Sequence, residues 1–363
     1  MSGGIVQLVA TGAQDTWLTG KPEVSFFRSN YKRYTHYSST VERQIIQGNP
    51  MAGGISTVRF EKKGDLLSYV YFTARDSSGV EVANQNWATV IDKVELLIGG
   101  QVIDTQDFEY MTDIEPVTGA QTFSTRFLNH STSNVTSQRS SFFPLKFFFC
   151  KDWSVSLPLI ALQFHDVELR VTWASALPAL QYQAWANYVY LDQGERDYFA
   201  KTAHDLLITQ VTRVNALNLA SQELALAHPI KFIAFPTISY DQRYYAGTAA
   251  NLQLKVQING TDASEFRALP AYVDSPQYYN TPFGYSHNNA VANVAIVSYC
   301  LDTSKLQPTG TLNFSRLDTY RLVVPAALTG GVAALCGAPK YLYAVNYNVL
   351  RIQNGLGGLM YAN

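Results

Sequence analysis

Asn251-Leu252-Gln253-Leu254-Lys255-Val256-Gln257-Ile258-Asn259-Gly260 reads as a strand with one buried side that runs into a tight turn. Leu252, Leu254, Val256 and Ile258 alternate with Asn251, Gln253, Lys255 and Gln257, the period of two that sends successive side chains to opposite faces. Asn-Gly tolerates positive φ at both positions, the backbone shape of a two-residue hairpin turn. The same grammar recurs elsewhere. His165, Val167, Leu169, Val171 and Trp173 share one face, opposite Asp166, Glu168, Arg170 and Thr172, and Val94, Leu96 and Ile98 lead into Gly99-Gly100. Helical patterns are scarce, the best being Glu195–His204, short enough to be a connector.

The chain of 363 residues has room for two domains, and it repeats itself. Ile98-Gly99-Gly100 has a counterpart in Ile258-Asn259-Gly260, each closing the same kind of strand. Cys150-Lys151-Asp152-Trp153-Ser154 matches Cys300-Leu301-Asp302-Thr303-Ser304, and each is followed by a similar strand, Asp166–Val171 or Asp318–Val323. Ordered matches at similar offsets indicate a duplicated unit. Many short strands punctuated by turns make that unit a sandwich or jelly roll. The polar stretch Gln193–His204 marks the join.

Charged residues are 15% and hydrophobic residues 47%, where a soluble domain averages roughly 25% charge. A surface so poor in charge is expected to be buried against partners. The 23 Tyr and 19 Phe suit half-buried strands, and Tyr suits interfaces. A net charge of −1 gives no field drawing the chain to nucleic acid or anionic lipid. Cys150, Cys300 and Cys336 lack metal-ligand spacing and read as free buried thiols. No basic and apolar leader opens the sequence, so no secretory signal is expected. Leu322–Pro339 is uncharged but interrupted by Pro325, Gly330, Gly331 and Gly337, so it reads as a loop and not a membrane span.

Sites of chemistry do not emerge. His36, His130, His165, His204, His228 and His287 form no H-x-x-x-H or H-E-x-x-H arrangement, and His165 reads as a hydrogen-bonded core residue. No Ser lies in a G-x-S-x-G elbow, and Gly355-Leu356-Gly357-Gly358 has no following helix to present amides to phosphate, so it reads as a turn before a terminal strand. Lys21, Arg28, Lys32, Arg33 and Arg43 interleave with Phe26, Phe27, Tyr31, Tyr34 and Tyr37, a pattern that also suits single-stranded nucleic acid. Here it is read as the first strand of the first unit, at a subunit contact. Sequons stand at Asn129, Asn134, Asn259 and Asn313; the first two fall in a Ser/Thr/Asn-rich stretch, 129–141, expected to be an exposed loop. The reading therefore assigns no catalytic residue, no cofactor and no metal.

The C-terminus reads Ala344-Val345-Asn346-Tyr347-Asn348-Val349-Leu350-Arg351-Ile352 and then Gln353-Asn354-Gly355-Leu356-Gly357-Gly358-Leu359-Met360-Tyr361-Ala362-Asn363. This resembles the closing signature of the major capsid proteins of nucleocytoplasmic large DNA viruses, particularly those infecting algae and protists. Further segments match in order: Leu18-Thr19-Gly20-Lys21-Pro22, Phe26-Phe27, Tyr31-Lys32-Arg33-Tyr34-Thr35, Glu95–Asp104, Leu157–His165, Tyr188–Asp192, His228–Lys231 and Gly310–Asp318. The resemblance spans nearly the whole chain. It implies an all-β fold of two tandem eight-stranded jelly rolls, with a homotrimer forming a pseudo-hexagonal capsomer that tiles an icosahedral shell. The expected organisation is an N-terminal arm 1–25, a first roll 26–192, a linker 193–205 and a second roll 206–363.

By the same resemblance the partners are neighbouring capsomers and minor capsid and penton proteins. The arm faces the interior, where it meets minor proteins or an inner membrane; no direct nucleic-acid contact and no small-molecule substrate are expected. The location implied is the outer shell of the virion, assembled in the infected host's cytoplasm. The chain is short for the family, so compact outer loops and little glycan are expected. Two alternatives stand beside this reading. One is a carbohydrate-binding or cupin-like jelly roll, which needs a His/Glu/Asp cluster that is not visible; the other is a minor capsid paralogue.

Overall fold

The computed structural model describes residues 4, 10, 12–119, 139–238, 252–282 and 294–361. Two compact units divide the chain, Met1–His36 and Tyr37–Asn363. In the first unit the described residues are exposed, with a short helix at Thr16–Thr19 and no strand among them. Of the stretch 21–43 expected as the first strand, only its end is strand, since the first strand begins at Tyr37. Residues 21–36 lack the alternation that would give a sheet one face to bury, and Pro22 removes a ladder donor.

The second unit holds two jelly rolls, each with nine principal strands. In the first, the strands are β1 (Tyr37–Gln44), β2 (Ile55–Arg59), β3 (Leu66–Arg75), β4 (Ile91–Ile98), β5 (Gln101–Asp107), β6 (Phe142–Pro144), β7 (Leu157–Pro158), β8 (Val167–Trp173) and β9 (Gln181–Leu191). One sheet runs β1-β9-β3, with β6 and β7 end to end along β3; the other runs β2-β8-β4-β5. In the second roll the strands are β10 (His204–Asn215), β11 (Ser221–Glu223), β12 (Pro229–Pro236), β13 (Gln253–Ile258), β14 (Thr261–Asp262), β15 (Val294–Ser298), β16 (Leu312–Asn313), β17 (Tyr320–Val323) and β18 (Tyr341–Gln353). Its sheets run β10-β18-β12, with β15 and β16 along β12, and β11-β17-β13-β14. Each strand of the first roll thus has its counterpart nine numbers later. The duplication read from short motifs is a duplication of topology.

Local chemistry explains the correspondence. Val167, Leu169, Val171 and Trp173 are buried while Glu168, Arg170 and Thr172 are half-buried, as period-two patterning requires. Gly99 and Gly100 have φ of 58° and 83°, and Asn259 and Gly260 have 50° and 78°, so both rolls turn the same hairpin at the same place. Asp152 accepts the Ser154 N–H at 2.9 Å between β6 and β7, and Asp302 accepts the Ser304 N–H at 2.9 Å between β15 and β16. The repeated Cys-x-Asp-x-Ser motif is therefore a repeated Asx turn.

Between the rolls lies helix α1 (Gln193–Lys201), capped by Asp192, whose Oδ1 accepts the Glu195 N–H at 3.0 Å. The helix expected at Glu195–His204 therefore begins and ends earlier, and His204 opens β10. Leu322–Pro339 finishes β17 and continues through turns and a 3₁₀ turn at Val332–Ala334. Among the described residues no helix is long and apolar enough to cross a membrane. A second helix, α2 (Pro270–Tyr279), follows the β13–β14 hairpin.

Candidate functional site

The residues that matter most lie where the rolls meet. Strand β5 exposes Gln101 and Val102, then buries Ile103, Asp104, Gln106 and Asp107 along the stretch that meets β10. Asp104 Oδ1 accepts the Val211 N–H at 2.9 Å and the Thr105 N–H at 3.0 Å, and Oδ2 accepts Gln106 Nε2 at 2.8 Å. Burial nevertheless pushes the Asp104 carboxyl up to about 6. Gln210 Nε2 donates to the Ile103 carbonyl. Arg213 donates to Asp107 at 2.9 Å and lies over the Tyr341 ring at 4.5 Å. Thr303 Oγ1 donates to the Thr118 carbonyl at 2.8 Å. Apolar packing is continuous across the seam: Ile208, Phe232, Tyr343, Val345 and Leu350 join the first roll's core. The rolls form one body.

The closing glycines complete the seam. Asn354 and Gly355, at φ of 54° and 80°, turn β18 back into β19 (Leu356–Leu359). The strand lies on the first roll, where the Phe164 N–H donates to Gly355 O at 2.9 Å and the Leu359 N–H to Gln101 Oε1 at 3.3 Å. His165 Nδ1 sits 2.9 Å from Gly357 O, so His165 is hydrogen-bonded, though half-buried and not a full core residue. A Cβ on Gly357 would stand 2.6 Å from Leu162 Cδ2. The stretch expected as a turn before a terminal strand is therefore both the turn and the strand.

Elsewhere the candidate groups scatter. His204 is buried with Nε2 2.9 Å from Phe199 O; His36 is exposed; His130, His287, Asn129 and Asn134 lie outside the described residues. Among the described residues no three His, Cys, Asp or Glu gather as a metal site would require. Cys150, Cys300 and Cys336 are buried and free, and burial pushes the Cys150 and Cys336 thiols up to about 12. Asn259 Oδ1 accepts the Asp318 and Thr319 N–H groups, and Asn313 Oδ1 that of Ser315, so both sequon side chains brace turns.

The duplication also exposes what it leaves uncovered. β5 is covered by β10, but its counterpart, the segment from β14 through the two-residue strand Arg267–Ala268, is exposed at every position from 261 to 268 except Ser264. β10 is covered by β5, with four of twelve residues exposed; its counterpart β1 exposes six of eight, including Tyr37 and Val41. Each half of the seam therefore has an uncovered twin. The local sequence does not reveal this, since which edge is covered depends on a segment far along the chain.

Two family models match in tandem: "Major capsid protein N-terminus" over residues 25–192 and "Large eukaryotic DNA virus major capsid protein" over residues 195–358. The major capsid protein of Paramecium bursaria Chlorella virus 1 is 32% identical over 442 aligned residues, covering all of both chains. The chain belongs to the major capsid protein family of large eukaryotic DNA viruses. That of Pyramimonas orientalis virus, another member, is 28% identical over 417 residues, again with full coverage of both. Both alignments are longer than 363 residues, so these relatives carry insertions this chain lacks. The "PBCV-1 virus capsid, quasi-atomic model" superposes with a TM-score of 0.73 at 25% identity, over 93% of this chain and 100% of that one. The Faustovirus major capsid protein, at 11% identity and a TM-score of 0.56, shares the fold. Major capsid proteins are structural, and membership places this one in the virion capsid. The cupin-like and minor-paralogue alternatives gain no support from these matches.

Proposed function

We propose that three copies of this chain close into a pseudo-hexagonal capsomer that tiles an icosahedral shell, without catalysis. The observation that carries the reading is the pair of uncovered twins. Within the chain, β5 of one roll docks on β10 of the next. Repeating that contact sets β14 and Arg267–Ala268 of one copy on β1 of a second. A head-to-tail contact of this kind forms a ring when its rotation closes, and three chains of two rolls give six. Polarity agrees. The seam pairs Arg213 on β10 with Asp107 on β5; Arg43 on β1 and Glu265 beside β14 are exposed and have no ion pair among the described residues. Low surface charge and exposed aromatics support burial against neighbours.

The rest of the reading follows the family. We divide the chain into an arm 1–25, a first roll 26–192, a linker 193–205 that contains α1, and a second roll 206–363. The arm faces the shell interior and meets minor capsid proteins or an inner membrane, and capsomers contact one another and the penton proteins. Nucleic acid and small-molecule substrates play no direct part, and assembly takes place in the infected host's cytoplasm. Light scattering on the purified full chain tests the core of this: a mass near three times 40.4 kDa is expected, and a stable monomer at micromolar concentration rejects it.

A further inference from the structure

We propose that the cleft between the rolls binds a small oxyanion, with Lys231 as its anchor. The cleft has a volume of about 370 Å³, within the roughly 300–1,000 Å³ of small-ligand sites. Lys231, Thr209 and Lys305 reach it from the second roll and Lys151 from the first. Lys231 comes from a register shift between Ile230 and Phe232 in β12, the kind of irregularity that re-aims a side chain. A similar shift in the twin strand β3 falls at Ser68, which is satisfied by a 2.7 Å hydrogen bond from Asn187. A neutral pair serves there, so the fold itself does not ask for a cation.

The charge count supports a missing anion. Lys231 is 3% exposed, and its Nζ donates to the Thr303 carbonyl at 3.0 Å and the Lys305 carbonyl at 2.9 Å, with the Tyr347 ring at 5.0 Å. An ammonium has three N–H donors, so one remains beyond these two carbonyls. Among the described residues Lys231 forms no ion pair within 4.0 Å; Asp302, paired with Lys305, is the carboxylate whose charge favours its ammonium. Lys146 and Lys151 share one carboxylate, Glu115, at 3.2 and 3.7 Å. Asp302 is occupied by Lys305 at 3.5 Å, and Asp152, exposed at the rim, caps Ser154. Buried charges are normally paired. Burial pulls the Lys231 ammonium down to about 8, so it remains largely cationic at neutral pH. The Thr209 hydroxyl has no protein partner among the described residues and completes a donor set for a tetrahedral oxyanion.

Such an anion would bridge both rolls, and this proposal is independent of the trimer. Calorimetric titration of the full chain with inorganic phosphate, against chloride at equal ionic strength, tests it. One saturable site per chain is expected, weakened at least tenfold in Lys231→Met and several-fold in Lys305→Met. A phosphate-induced rise in melting temperature should vanish with the binding. Should Lys231→Met fail to fold, Lys305→Met and Thr209→Val carry the test at more tolerant positions. Absence of a saturable site in the wild type, or equal phosphate affinity in all folded variants, overturns the proposal.

Discussion

Asp104 of the first roll accepts the backbone N–H of Val211 of the second at 2.9 Å, a carboxylate spent on joining two domains. Burial raises its folded pKa to about 6 from 3.8. A raised acid binds its proton more readily when folded, so its contribution is present below about pH 4 and is lost as pH rises to about 6. The size is on the order of 3 kcal/mol. Asp104→Asn removes the titration. Its melting temperature relative to wild type should therefore climb between pH 4 and pH 7. A flat difference across that range would show that Asp104 does not titrate there.

Arg213 neutralises Asp107 across the same seam and packs on Tyr341. Asp107 is 5% exposed; Arg213→Ala leaves it buried without its cation. A loss of roughly 2–4 kcal/mol in urea unfolding is expected, discounted because Arg213 itself is half-exposed. Arg321, paired with Glu223 on the surface at 3.0 Å, is the control. Its replacement by Ala should cost less than about 1 kcal/mol.

Gly357 marks where the C-terminal strand meets the first roll. Gly357→Val places new atoms against Leu162 and Ile98 and should lower stability by roughly 1–3 kcal/mol. Hydrogen exchange should accelerate in β19 before it does in β3. Unchanged protection in β19 would mean that the strand does not depend on this close approach.

Val41, on the exposed face of β1, is the position at which the proposed subunit contact can be tested apart from folding. Val41→Asp should keep the wild-type circular dichroism but reduce the mass in solution from three chains to one. A trimer that persists would place the subunit contact somewhere other than β1.

Deletion of residues 2–25 should leave soluble trimers, since the rolls' strands begin at Tyr37, and should abolish shell formation. Electron microscopy of assembly reactions reads the outcome directly. Intact shells from the truncated chain would remove any assembly role for the arm.

Parts of the molecule were legible one residue at a time. The alternation in 252–258 and 167–173, the Gly99-Gly100 and Asn259-Gly260 turns, and the Asp152 and Asp302 motifs all depend on neighbours within a few positions. Helix α2 was missed because Pro276 lies inside it and its apolar pattern is weak. Residues 21–36 are not strand, because basic and aromatic residues fit a strand surface without requiring one.

The sequence by itself determined an all-β chain made of one unit used twice, because period-two patterning and turn chemistry are local properties. Tertiary structure decided which copies of the same edge are covered. Asp104 and Asp107 are polar residues of the kind an exposed edge carries, and they are buried where β10, which follows far along the chain, lies on them. The need for glycine at 357 and the burial of Lys231 have the same origin, since close approach and burial are set by atoms brought from distant parts of the chain.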